Sequence, residues 1–231
     1  MDNKKGKVMS DYTWSYSSLK QYQNCPRQYH EIRILKNYTV KENQAMIYGK
    51  EVHTALEEYV RDGKPLVKNY QRFKKVVDAL VNIKGEKLCE YEMALTHNKE
   101  PCDFHSDHRW VRGIADLVIV DGTQAYVVDY KTGSNKYPDP KQLKLMSIML
   151  FTHMPEVVKI KAGLLFVMKN SFLTEEYHRS DMDKLWKSFE RPLKRLDTSY
   201  DYDQWTPNPT PLCGWCSIDS CEFHKPRFFP S

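Results

Sequence analysis

The chain has 231 residues, 41% of them hydrophobic, enough to close a core around one large domain or a core with an appended lobe. Its net charge of +5 suits a polyanionic partner without demanding one, and no apolar run approaches the roughly 20 residues of a bilayer span. Met1 to Ser10 is polar and lysine-containing, unlike a secretory signal, so an intracellular, cytoplasmic setting is expected. There, six cysteines point to a metal or cluster rather than to disulfides.

Taken in order, residues 1–16 read as a flexible arm and 17–87 as an N-terminal helical region. Tyr16 to Lys36 is helical with a break near Pro26. Asn43 to Arg61 has Val52, Leu56 and Tyr59 at helical spacing and stops at Gly63. Asn69 to Lys84 is a further amphipathic helix, with Phe73, Val76, Leu80 and Ile83 on its stripe. Residues 88–200 change pattern. Leu88 to Thr96 alternates like a strand, 97–108 is a polar loop, and Trp110 to Val120 and Gln124 to Lys131 are strands around an Asp121-Gly122 turn. Pro140 to His153 is a helix opened by proline, Val157 to Met168 and Phe172 to His178 are strands, and Asp181 to Leu196 is the last helix. Residues 201–231 form a tail rich in Pro, Trp and Cys. The layout is α/β or α+β, with a mixed central sheet flanked by helices.

The richest segment is Gly113-Ile-Ala-Asp116 followed by Asp129-Tyr-Lys131-Thr-Gly133. Strand side chains alternate, so Asp129 and Lys131 share a face. With Asp121-Gly122 as the turn, Asp116 faces Val127 and lies on the face of Asp129. Leu117, Ile119, Tyr126 and Val128 then cover the opposite face. Two carboxylates and an ammonium on one face are what phosphodiester cleavage asks for. A divalent ion held by carboxylates offsets phosphate charge and activates water, and a lysine beside them orients that water or stabilises developing charge. Asp129 follows the apolar run Ala125 to Val128, and buried charges are rare unless paired or metal-bound. Glu92, on the preceding strand, could serve a second metal through water, but an exposed strand position explains it better.

Cys213, Cys216 and Cys221 form C-x₂-C-x₄-C, and Cys25 precedes Pro26 far upstream. Four thiolates hold either tetrahedral Zn²⁺ or an iron–sulfur cluster, and spacing alone does not separate the two. Cys89 reads as a core thiol. Cys102 lies in the polar loop near His97, His105 and His108; a small zinc site there is conceivable, but solvated loop histidines are the better reading.

In order, the chain carries Ser18-Leu19-x-x-Tyr22-x-x-Cys25-Pro26, Gly49-x-x-x-His53, Gly113-x-x-Asp116, Asp129-x-Lys131-Thr-Gly133 and Gln142, and closes with the three cysteines. This series resembles the RecB-type branch of the PD-(D/E)xK nucleases, in particular the CRISPR-associated four-cysteine exonucleases and the AddB nuclease domain, across residues 17–224. The resemblance implies a restriction-endonuclease-like fold with a nuclease core at 88–200. It implies Mg²⁺ or Mn²⁺ held by Asp116, Asp129, the backbone carbonyl of Tyr130 and His53, with Lys131 and Gln142 completing the catalytic set. It further implies a 4Fe–4S cluster on Cys25, Cys213, Cys216 and Cys221, with Zn²⁺ as the alternative. The activity implied is sequence-independent exonuclease action on DNA, single-stranded or at duplex ends, in recombination, repair or DNA processing. A phage-encoded origin and a helicase, recombination or homo-oligomeric partner are in keeping with it. The competing reading is a partner-dependent or inactive DNA-binding module on the same fold. Met146 stands where the family often has tyrosine. Lys136, Lys141, Lys144, Arg109 and Arg112 are candidate phosphate contacts, and Tyr137 and Trp110 candidate stacking residues.

Overall fold

The computed structural model describes residues 12–40, 42–136 and 138–225. In chain order they form α1 (Tyr16–Asn24), α2 (Pro26–Tyr29), α3 (Gln44–Asp62), α4 (Lys74–Val81), β1 (Glu86–Leu95), β2 (Pro101–Cys102), β3 (Val111–Asp121), β4 (Gln124–Lys131), α5 (Lys141–His153), β5 (Lys159–Phe166), β6 (Ser171–His178) and α6 (Met182–Tyr202). The chain divides into a sheet unit, residues 42–188, and a terminal unit made from residues 1–41 and 189–231. No helix among the described residues is long and apolar enough to cross a membrane.

The sheet unit is built on six strands in the order β2-β1-β3-β4-β5-β6. Only β4 and β5 run parallel, and α5 makes the crossover between them, as a parallel connection requires. Val52 and Leu56 of α3 and Val77 and Leu80 of α4 are buried in one cluster with Leu117, Ile119, Val128, Tyr130 and Leu165 of the sheet. Helix α5 is apolar nearly all round, and Leu143 and Leu145 to Phe151 are buried. Its last turn is capped by Arg179, whose guanidinium donates to the carbonyls of Phe151 and Met154 at 2.6 Å and of Val157 at 2.8 Å.

In the terminal unit the N-terminal motif has a direct physical reading. Ser15 caps α1 in a reciprocal box with Ser18. Leu19 and Tyr22 are buried, and the Tyr22 hydroxyl lies 2.7 Å from the Arg195 carbonyl and 2.8 Å from Ser199 Oγ. Cys25 is the N-cap of α2 and Pro26 its first residue, where a missing N–H costs nothing.

Several sequence expectations shift. The helix expected over Asn69–Lys84 begins as a 3₁₀ turn at Lys68–Phe73 and ends as α4 at Val81. The chain must then make a tight approach at Gly85, where φ is 128° and an added Cβ would lie 2.3 Å from the Val120 carbonyl oxygen. Helix α6 runs six residues past Leu196, because Tyr12 stacks on Tyr200 at 4.5 Å and Ser199 takes the Tyr22 bond, which extends the buried stripe. The β3–β4 turn is Gly122-Thr123, with Asp121 opposite Gln124. Val118, not Asp116, therefore faces Val127. Moving a two-residue turn by one position slides the pairing by two, so Asp116 and Asp129 keep a common face.

Candidate metal-dependent active site

Three adjacent strands bring three carboxylates to one level of the sheet. Pairing of Leu117 with Val128 sets Asp129 of β4 level with Asp116 of β3. Pairing of Cys89 with Leu117 and of Tyr91 with Ala115 sets Glu90 of β1 opposite Asp116 on its other side. Asp116 is thus the middle member of the row. Its Oδ2 accepts from the Tyr130 backbone N–H at 2.5 Å, and its Oδ1 lies 3.3 Å from His53 Nδ1 on α3.

On the other flank, Gln142 of α5 donates through Nε2 to Asp129 Oδ1 and accepts at Oε1 from Lys131 Nζ at 2.9 Å. Lys131 Nζ also lies 2.6 Å from Asp129 Oδ2, an ion pair. Asp129 is 5% exposed. Burial, reinforced by the negative charge of Asp116, pushes its carboxyl up, and Lys131 only partly opposes this. Glu90 is pushed up to about 7 by burial and by Asp116 and Glu57. At His53, burial disfavours the charged ring, but the hydrogen bond and charge of Asp116 outweigh it and leave its pKa above the ordinary value.

His53, Glu90 and Asp116 each offer a ligand atom within 4.8 Å of the others, the one such metal-capable group of three or more among the described residues. One imidazole and hard carboxylate oxygens suit Mn²⁺ or Mg²⁺, and the half-buried setting leaves positions open for water and substrate oxygens. The donor set therefore fits a divalent ion. A cleft of about 790 Å³ opens beside the group, lined by Tyr48, His53, Glu57, Glu90 and Thr132 among others.

The motif glycines serve close approach. An added Cβ at Gly49 would lie 3.2 Å from Thr132 Oγ1, so the helix motif and the strand motif meet there. At Gly113 it would lie within 3.1 Å of Met146 and Met149 side-chain atoms. Met146, at the position where tyrosine is common in the resembled family, is buried against Gly113. Glu90 is the residue sequence reasoning missed. Glu92, the weaker candidate for a second metal, sits opposite Ile114 and is exposed, as the simpler reading of that strand position expects. Of the candidate phosphate contacts, Lys144 donates to Ser188 Oγ at 3.0 Å, Arg109 to the His105 and Ser106 carbonyls, and Arg112 lies over the Phe104 ring. Trp110 stacks with His97 and Trp186. Tyr137 lies outside the described residues.

The four motif cysteines line one cavity of about 520 Å³ in the terminal unit. Three sulfurs accept N–H donors: Cys25 from Gln28 N at 3.5 Å, Cys213 from Thr210 N at 3.3 Å and Cys216 from Gln28 Nε2 at 3.4 Å. No three of the sulfurs lie within 4.8 Å of one another.

The model of the PD-(D/E)XK nuclease superfamily matches residues 13–221. A mixed six-stranded sheet flanked by helices is the restriction-endonuclease-like architecture of that group. Among solved structures, a candidate exonuclease from Eubacterium rectale superposes with a TM-score of 0.54 at 10% identity, covering 99% of this chain and 93% of that one, a likeness of fold. The protein SSO0001 gives a TM-score of 0.49 at 15% identity over 95% of this chain and 91% of its own. No curated protein sequence matches.

Proposed function

Because the chain belongs to the PD-(D/E)XK nuclease superfamily, we propose that it is a metal-dependent exonuclease that hydrolyses DNA phosphodiester bonds without reading base sequence. The observation that carries this reading is the junction of two networks at the Asp116–Asp129 pair. On one side stand His53 and Glu90, and on the other Lys131 and Gln142. Asp116, Asp129, His53 and the Tyr130 carbonyl would hold the ion, which when bound offsets phosphate charge and lowers the pKa of a coordinated water. Lys131, steadied by Gln142 and Asp129, is placed to orient the nucleophile and to meet charge that develops on phosphate. Gln142 keeps Asp129 aligned while its carboxylate is buried.

In this reading the four cysteines that line one cavity hold a 4Fe–4S cluster, as the family resemblance implies, with Zn²⁺ as the alternative. The N–H donors on three of them suit thiolate charge. Such a group would tie the N-terminal helices to the C-terminal tail.

The test is cleavage of end-labelled single- and double-stranded DNA in EDTA, Mg²⁺ or Mn²⁺ with anaerobically purified protein. Metal-dependent loss of terminal label, abolished by Lys131→Ala, is expected. Binding without cleavage in either metal would replace the nuclease with a DNA-binding or partner-dependent module.

A further inference from the structure

We infer that Glu90 is an additional metal-binding residue of this site, taking the ion on the His53 side of Asp116. The inference rests on the metal-dependent reading above and assigns a ligand where the motif pattern has none.

Three observations carry it. The carboxylate of Glu90 reaches the same 4.8 Å neighbourhood as His53 and Asp116 from a different strand, so three separate elements converge on one point. Glu90 does this from a left-handed backbone, φ 48°, in the middle of a strand whose neighbours Cys89 and Tyr91 keep regular pairing. A long side chain seldom adopts that conformation, and single strained residues of this kind concentrate at ligand clamps. Finally, Glu90 faces Asp116 with no lysine or arginine ion-paired to it among the described residues, since Lys131 is engaged by Asp129 and Gln142. Two carboxylates at this distance repel, and His53 supplies at most one positive charge. A divalent cation seated among the three removes the repulsion. Imidazole with two carboxylates favours Mn²⁺ over the harder ions, with Asp116 shared between this ligand set and Asp129.

The experiment is Mn²⁺ titration of the full chain by electron paramagnetic resonance, at one pH, comparing wild type with Glu90→Gln and Glu92→Gln. Glu90→Gln is expected to weaken Mn²⁺ binding by about tenfold or more, at least the loss seen for residues that merely support a ligand. Glu92→Gln is expected to bind as wild type does. Equal affinity in Glu90→Gln and wild type would overturn the inference while leaving the metal-dependent reading intact. Absence of Mn²⁺ binding by wild type would overturn both. Glu90→Gly supplies a second readout, because glycine accepts the left-handed backbone. It is expected to raise the metal-free melting temperature and to shrink the rise that Mn²⁺ produces. A drop in the metal-free melting temperature with the Mn²⁺ response unchanged would mark Glu90 as structural only and sink the assignment.

Discussion

Gln142 and Asp129 are joined by a side-chain hydrogen bond from α5 to the C-terminal end of β4, and the same amide accepts from Lys131. One uncharged residue thereby fixes the relative position of the carboxylate and the ammonium of the D-x-K motif. Its value is geometric: an amide offers one donor and one acceptor at fixed spacing, which a carboxylate or an alkyl group cannot reproduce.

Gln142→Leu should therefore lower kcat by about 100-fold, the usual effect of misplacing reacting groups by an ångström, with little change in KM. Steady-state kinetics on a short labelled oligonucleotide would check this. A change confined to KM would show that Gln142 serves substrate binding instead.

In the metal-free protein, stability should fall as pH rises between roughly 4 and 7. The Asp129 and Glu90 carboxyls are raised in the folded state by burial and by neighbouring negative charge, Glu90 to about 7. Unfolded, they titrate near 4. Between the two values the unfolded chain has released protons that the folded protein retains, so rising pH favours unfolding. Added Mn²⁺ should oppose this, since ligands must be deprotonated to bind, and its stabilising effect should be larger at pH 8 than at pH 5.5. Thermal melts at several pH values with and without Mn²⁺ measure both trends, and Asp129→Asn should flatten the metal-free decline.

Arg179→Met should destabilise the protein by about 2 kcal/mol, because it leaves three carbonyls after the last turns of α5 without their charged donor. Urea denaturation would report the loss as a lower midpoint. These bonds go to Phe151, Met154 and Val157 and to none of the site residues, so turnover per folded molecule should be preserved.

Cys216→Ser should remove iron and visible absorbance from the purified protein and should make the terminal unit sensitive to proteolysis near Pro207–Thr210, which line the cysteine cavity. Zinc at one equivalent in the wild type, with no iron, would replace the iron–sulfur assignment.

The convergence of Asp116 and Asp129 was legible because it depends on parity alone. Any two-residue turn near Gly122 leaves both on one face, so an error of one position in the turn did no harm. Burial of Leu117, Ile119 and Val128 followed from the same alternation. Glu90 was not legible, for its place depends on the β1–β3 register, and the chain between those strands is a long loop that also contributes β2. No local pattern distinguishes Glu90 from Glu92 before that register is known. Nor does any local pattern announce a left-handed residue in mid-strand. The length of α6 was missed for a similar reason, since its last turns are stabilised by Tyr12 and Tyr22 from the far end of the chain. Met146 reads as a departure in sequence, and its packing against Gly113 accounts for it as a core residue.

The terminal unit is assembled from two segments that precede and follow the sheet unit in the sequence. During synthesis, α1 and α2 emerge before Phe189 to Tyr202 and the later cysteines, which follow Tyr29 by about 160 residues or more. At a translation rate of roughly 5–20 residues per second, the early helices wait on the order of ten seconds or more for their partners. The sheet unit, contiguous in sequence, has everything it needs in that interval. Chain order then sets the order of maturation: the acidic row can take shape first, and the cysteine cavity closes only once the segment that carries Cys213 to Cys221 has been made.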